Sequence, residues 1–266
     1  MAASSTKGIA VVTGASSGIG AVYADRLAGR GYDLILVARR ADRLEALAGK
    51  IQKAHGRRVE ALTADLGKSA DLERVAGAIA ANPDVRVLVN NAGIARLAPV
   101  ASAPFDHARE QIDINISALT RLTYAVLPGF VARNKGAIIN IASVLGVETL
   151  PVSAVYSGTK AFVLSFGAGL QGELAETGVR VQTVAPAVTA TEIWDNSGVL
   201  ITNFDPSIVM TTEQMVDAAL AGFDKGEAVT FPSVADESFW QQIVAARSGL
   251  FASARTGKPA PRYGVA

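Results

Sequence analysis

The chain has 266 residues, half of them hydrophobic and 18% charged, with a formal net charge of +1. That is enough for one large domain or two small ones around a substantial core, and too apolar for a disordered chain. The absence of cysteine excludes disulfides and thiolate chemistry, and a near-neutral balance without like-charge runs points away from nucleic acid and from a membrane surface.

Met1 to Gly8 is short and polar and lacks the apolar core of a signal peptide. No apolar run reads as long enough to span a bilayer, so a cytoplasmic protein is expected. Ile9–Val12 is a short apolar run, as a buried parallel strand should be. It leads into Thr13-Gly14-Ala15-Ser16-Ser17-Gly18-Ile19-Gly20, followed by a helical stripe of Ile19, Tyr23 and Leu27 that ends at Gly31. Strand, glycine turn and helix together form a pyrophosphate site, because glycine lets the backbone approach a ligand and the helix start offers free N–H groups.

Asp33–Ala38 reads as the second strand. A site selective for NAD wants an acidic residue near its end. Here Arg39 and Arg40 follow Ala38, so nothing repels a 2′-phosphate and a guanidinium can grip one, which favours NADP(H). Arg40 also suits the plain start of a solvated helix over 41–54. A third strand over 59–64 leads to Asp65 and Leu66; Asp65 could meet an adenine edge or only shape the turn. Ser69 is a candidate N-cap for a helix through Ala80. Val85–Val89 is a fourth strand ending in Asn90-Asn91-Ala92-Gly93, at the carboxyl edge where open α/β sheets bind ligands.

One long helix is predicted over 105–133, with Asn115 on its apolar stripe, where a buried amide needs partners. A fifth strand over 136–142 delivers Ser143. The next helix, roughly 152–177 and closed by Gly178, carries Tyr156 and Lys160 four residues apart, hence on one face. An ammonium there should pull the phenol below its ordinary pKa and fit it for proton transfer. The same pair also suits an ordinary helix surface. Gly158, Gly167, Gly169 and Gly172 are costly inside a helix, and close packing against another helix at a subunit interface would compensate. Val179–Ala185 is a sixth strand, leading to Pro186-Ala187-Val188-Thr189. The irregular, apolar segment over 189–212 reads as core or as a substrate lid. Thr211–Gln214 is a candidate capping box for a helix through Phe223; Glu227–Phe231 is a candidate seventh strand, Phe239–Leu250 is helical and the tail from Ala252 is extended. Strands alternating with helices, without repeat or linker, argue for a single doubly wound α/β domain over 1–266. His55 and His107 are isolated, and no metal set is expected.

Thr13-Gly14-x-x-x-Gly18-x-Gly20, Asn90-Asn91-Ala92-Gly93, Asn115, Ser143 and Tyr156-x-x-x-Lys160, in this order, resemble the short-chain dehydrogenase/reductase family. The resemblance implies a Rossmann-type fold with a seven-stranded parallel sheet, in a homotetramer or homodimer packed through the helices at about 105–133 and 152–177. It implies that Tyr156 is the acid or base, that Lys160 holds the nicotinamide ribose, that Ser143 orients a carbonyl and that Asn115 orders a water. Gly14, Ser16, Gly18, Ile19 and Gly20 would line the pyrophosphate and adenosine side, with Asp65 at adenine, Asn91 at the adjoining ribose, and Ser17, Leu66, Ala92 and Gly93 also binding the cofactor. Arg39 would select the 2′-phosphate, with Arg40 beside it, and Pro186, Val188 and Thr189 would meet the nicotinamide amide. Ala187 departs from the family's usual glycine.

The expected activity is NADPH-dependent reduction of a ketone to a secondary alcohol. Val144, Leu145, Leu150, Val152, Ala187, Ile193, Trp194 and Phe204, with Ser143 and Tyr156, suggest a hydrophobic or aromatic small-molecule substrate. A 3-oxoacyl thioester reductase is the alternative, and a non-catalytic NADP(H) sensor is the reading from another class.

Overall fold

The computed structural model describes residues 6–265; of the polar amino-terminal stretch, residues 1–5 lie outside the described residues. The chain divides into two compact units, Met1–Ser233 and Val234–Ala266. The larger unit holds seven parallel strands in the order β3-β2-β1-β4-β5-β6-β7. They are β1 (Ile9–Thr13), β2 (Asp33–Ala38), β3 (Val59–Thr63), β4 (Val85–Asn90), β5 (Gly136–Ile141), β6 (Val179–Val184) and a short β7 (Val229–Thr230). Order reverses between β1 and β4, and that switch point opens a crevice at the carboxyl ends of the strands.

Period-2 alternation builds two cores from one sheet. Val12, Leu36 and Val89 face α1 (Gly18–Gly29), α2 (Ala41–His55) and α7 (Thr212–Lys225), where Tyr23, Leu44 and Met215 are fully buried. Val11, Ile35 and Leu88 point the other way, onto α3 (Ser69–Ala81), α5 (Leu119–Ala132) and α6 (Ala154–Glu173). Burial on both faces explains why the central strands read as unbroken apolar runs.

Several boundaries differ from the sequence reading. Lys68, not Ser69, is the N-cap of α3, and no side chain caps it. The single helix expected over 105–133 is three segments: α4 (Phe105–Ile112), a π-helical turn over Asp113–Ala118, and α5. The helix expected to run to 177 and close at Gly178 stops at Glu173, with Leu174 as its C-cap. Gly178 instead serves a close approach: a Cβ there would collide with the Asn134 carbonyl, and its N–H donates to Asn134 Oδ1 at 2.5 Å. Gly167 likewise packs against Thr183 of β6 within the chain, not against another helix, whereas Gly158, Gly169 and Gly172 face open space. One stretch, Phe105–Ala132, is after all long and apolar enough to cross a membrane by composition. In the fold it is the crossover between β4 and β5 and lays Leu122, Val126 and Phe130 on the sheet, which accounts for its apolarity.

Thr211 caps α7 in a full capping box with Gln214, as its sequence indicates. The smaller unit contains α8 (Ser238–Ser253), none of whose residues is buried, and a tail that is irregular except for a 3-10 turn at Pro261–Tyr263.

Candidate active site

The crevice is a cleft of about 820 Å³ running from the β1–α1 turn to the segment after β6. Its floor is fixed by the ends of β1 and β4. Thr13 Oγ1 donates to the Val89 carbonyl and accepts the N–H groups of Asn91 and Ala92, while Asn91 Nδ2 donates to the Thr13 carbonyl at 2.8 Å. Gly14 needs its left-handed backbone, φ +65°, and a Cβ there would press on Asn91 and Ala92. Gly20 lies behind the cleft wall: a Cβ on it would strike the Gly14 carbonyl, so its absence lets α1 seat against the turn.

Ser17, the N-cap of α1, sends no side-chain hydrogen bond back to the helix. Its hydroxyl, like that of Ser16, accepts from the Arg40 guanidinium. The first-turn N–H groups of α1 are therefore left for an anion in the cleft, and this end fits a dinucleotide pyrophosphate. Arg40 thus does more than begin α2. Arg39 also lines the cleft; it is exposed and has no hydrogen-bond or ion-pair partner among the described residues. Asp65 lines it too, while its Oδ1 accepts the Gly67 N–H at 3.1 Å, so it shapes the turn as well.

At the other end, Ala142 and Val144 donate their N–H groups to the carbonyls of Val184 and Pro186, which locks the exits of β5 and β6 together. The 3-10 turn Val144–Gly146 rests on the backbone of α6, and a Cβ on Gly146 would lie 2.7 Å from the Lys160 carbonyl oxygen. That contact, carried by a glycine the sequence reading passed over, sets the height of Ser143 above α6. Ser143 Oγ accepts the Leu145 N–H at 3.1 Å, and its side chain lies near enough to the Tyr156 phenol to lower that group's pKa.

Tyr156 and Lys160 are both buried. The expectation that the ammonium draws the phenol below its ordinary pKa is not met. Burial pushes Tyr156 up to about 12, against a lowering contribution from Ser143, and pushes Lys160 down to about 8. The reason is that loss of water penalises the charged form of each group. The Lys160 Nζ also points elsewhere, donating to the Ile141 carbonyl at 2.9 Å.

Asn115 lies behind the cleft, in the π-helical turn. Its Oδ1 accepts the Ile94 N–H, and its Nδ2 donates to the Ile94 carbonyl and to Thr159 Oγ1. Both amide hydrogens are committed, and they tie the segment after β4 to α6, while Oδ1 keeps a second lone pair. The extra residue of a π turn, common at functional sites, sets this amide inward.

One wall of the cleft is apolar. Val144, Leu145, Leu150, Val152, Ala187, Ile193, Trp194 and Phe204 all line the cleft. The 189–212 segment is folded, its ends joined by a bridge between Thr189 and Met210. Within it the Trp194 and Phe204 rings lie 4.9 Å apart, and Trp194 Nε1 donates to the Thr189 carbonyl. The sequence reading missed Arg96 and Glu192. Arg96 lines the substrate end and donates to the Asn196 carbonyl. Glu192 sits on Arg40 and Arg43, with its carboxyl held near 2, first by the hydrogen bond from Arg40 and then by that from Arg43. Neither lies in a motif, and only folding brings them to the cleft.

The sequence matches the short chain dehydrogenase family over residues 8–199. The chain belongs to that family. Among solved relatives, a short-chain dehydrogenase from Sphingobium yanoikuyae in complex with NADPH is 43% identical, with a TM-score of 0.92, covering 95% of this chain and 98% of that one. A bulky-bulky ketone specific alcohol dehydrogenase from Comamonas testosteroni is 37% identical, with a TM-score of 0.88, over 96% of this chain and 98% of that one. The very-long-chain 3-oxoacyl-CoA reductase of Anas platyrhynchos is 38% identical over 188 residues, 69% of this chain but only 60% of that protein's length. Within the short-chain dehydrogenase frame, the glycine turn and the Ser143, Tyr156 and Lys160 cluster stand at opposite ends of one cleft.

Proposed function

We propose that this chain is an NADPH-dependent oxidoreductase that reduces a hydrophobic or aromatic ketone to a secondary alcohol, reversibly. The observation that carries the reading is that Ser143 and the buried Tyr156 line one end of an apolar cleft whose far end presents an uncapped helix start and an exposed arginine. When bound, the dinucleotide supplies the hydride. The chain's own residues do the rest. Gly14, Gly18 and the start of α1 seat the pyrophosphate, and Arg39 and Arg40 receive the 2′-phosphate. Ser143 orients the carbonyl oxygen, and Tyr156, protonated at neutral pH, gives it a proton. Lys160 supplies positive charge beside the developing phenolate. The apolar wall excludes water and selects for bulk. The NADPH-bound relative and the ketone-specific one, both similar over nearly the whole chain, support this choice.

A second reading, reduction of a 3-oxoacyl thioester, is favoured by the name of the Anas platyrhynchos relative. One experiment separates the readings: NADPH oxidation with a panel of bulky aryl ketones and with 3-oxoacyl-CoA thioesters. The ketone reading expects the ketones to be the better substrates, as kcat/KM. Thioesters well ahead of every ketone would replace it with the second, and no turnover of either would leave a non-catalytic binder. We also infer a homodimer or homotetramer through the α4–α5 and α6 faces. Phe105 on α4 and Tyr124 on α5 are exposed, at 73% and 68%, and Gly158, Gly169 and Gly172 of α6 face open space.

A further inference from the structure

Glu192 lies outside every motif, yet its carboxylate holds a telling position. One oxygen is 2.7 Å from an Arg40 guanidinium nitrogen, and the other is 2.6 Å from one of Arg43. Arg40 in turn binds Ser16 and Ser17 of the glycine turn. Two guanidiniums converging on two oxygens make an anion site of the kind that suits a phosphate monoester, and here the chain's own carboxylate fills it.

The rest of the residue's surroundings give that contact a consequence. Glu192 opens the 3-10 turn Glu192–Asn196, which carries Ile193 and Trp194 to the substrate end of the cleft. Its neighbour Thr191 faces Gly18 of the turn: a Cβ on Gly18 would meet the Thr191 methyl at 3.3 Å. The folded segment after β6 is thus fastened to the nucleotide end of the cleft by ion pairs from a single side chain. Those pairs are partly exposed, with side-chain accessibilities of 40–45%, so they are weak enough to exchange.

We propose that Glu192 is a built-in competitor for the 2′-phosphate: a dinucleotide carrying that group displaces Glu192 from Arg40 and Arg43 and frees the 191–196 turn, whereas one lacking it leaves the clasp shut. This rests on the NADPH reading above. Glu192 then both lowers affinity for NADPH relative to NADH and links phosphate recognition to the substrate end.

The test compares wild type with Glu192→Gln and Glu192→Ala, both solvent-facing changes, with folding checked by circular dichroism. Dissociation constants for NADPH, NADH and 2′,5′-ADP come from nucleotide fluorescence and calorimetry. Either variant should bind NADPH and 2′,5′-ADP about fivefold more tightly, with NADH within twofold of wild type. In wild type, 2′,5′-ADP should raise amide exchange over 191–196, and 5′-ADP should not. An unchanged NADPH-to-NADH ratio in both variants, or equal tightening of the two nucleotides, overturns the proposal. A wild type that prefers NADH but swings toward NADPH on losing Glu192 would keep the competitor and discard the cofactor reading. A wild type that prefers NADPH, with the ratio unmoved in the variants, would do the reverse.

Discussion

Lys160 points its Nζ at the carbonyl oxygen of Ile141, 2.9 Å away, and lies 5.7 Å from the centre of the Tyr156 ring. Burial brings the ammonium down to about 8 and holds the phenol up at about 12. Both groups are thereby stabilised in their neutral forms, and pH dependence follows. Reduction needs a protonated phenol, present throughout the neutral range, and an ammonium to stabilise the phenolate left behind. As pH rises through about 8 the ammonium is lost, so reductive kcat/KM should fall. Oxidation needs phenolate and ammonium together. With the phenol at about 12 and the ammonium at about 8, that pair becomes most populated between those values, so alcohol oxidation should rise to a plateau above pH 8. Profiles in both directions check this; a reductive rate that stays level to pH 10 would contradict it.

Removing the phenol oxygen isolates the proton from binding. Tyr156→Phe should lower ketone reduction by about 10³-fold, while NADPH binding stays within a few-fold, because general acid help is worth about 10²–10⁴. Ser143→Ala should cost about 10²-fold through the same oxygen. Single-turnover rates and nucleotide titration give both quantities. Wild-type turnover in the phenylalanine variant would end the mechanism.

Arg39 has no partner among the described residues and lines the cleft at the nucleotide end. Arg39→Ala should weaken NADPH by about tenfold, equivalent to about 1.4 kcal/mol, and leave NADH nearly unchanged. Equal loss for both nucleotides would mean that the selector lies elsewhere, with Arg40 the next residue to substitute.

Gly146→Ala should lower turnover without touching nucleotide affinity. The added Cβ meets the α6 backbone at 2.7 Å, so the 3-10 turn must lift and carry Ser143 away from Tyr156. The expected loss is about 10²-fold in kcat, the scale of a misplaced catalytic group. Ketone KM, kcat and NADPH dissociation constants together would distinguish this from simple unfolding.

The glycines of α6 separate packing from assembly. Gly167→Ala drives a methyl into Thr183 and should cost about 1–3 kcal/mol of stability. Gly169→Ala meets nothing within its own chain, so in a monomer it should stabilise the helix by up to about 1 kcal/mol. In a dimer or tetramer packed through that face it should weaken assembly instead. Sedimentation at several concentrations, alongside thermal melts, decides between these outcomes.

Local chemistry was written in the sequence wherever neighbours in the chain are neighbours in space. The apolar strands, the glycine turn and the Tyr156–Lys160 spacing all carry their geometry with them, since a strand has period 2 and a helix returns to the same face after four residues. The capping box of α7 is legible for the same reason. Distance in the chain hid the rest. The fold set Gly146 on Lys160, closed Glu192 over Arg40 and Arg43, split a helix at Asn115 and gave Gly167 a strand, not a helix, as its neighbour. It also reversed the expected tuning of the phenol, because proximity along α6 says that two groups can interact, while desolvation depends on everything packed around them. A residue's spacing is a property of the chain; its access to water is a property of the folded whole.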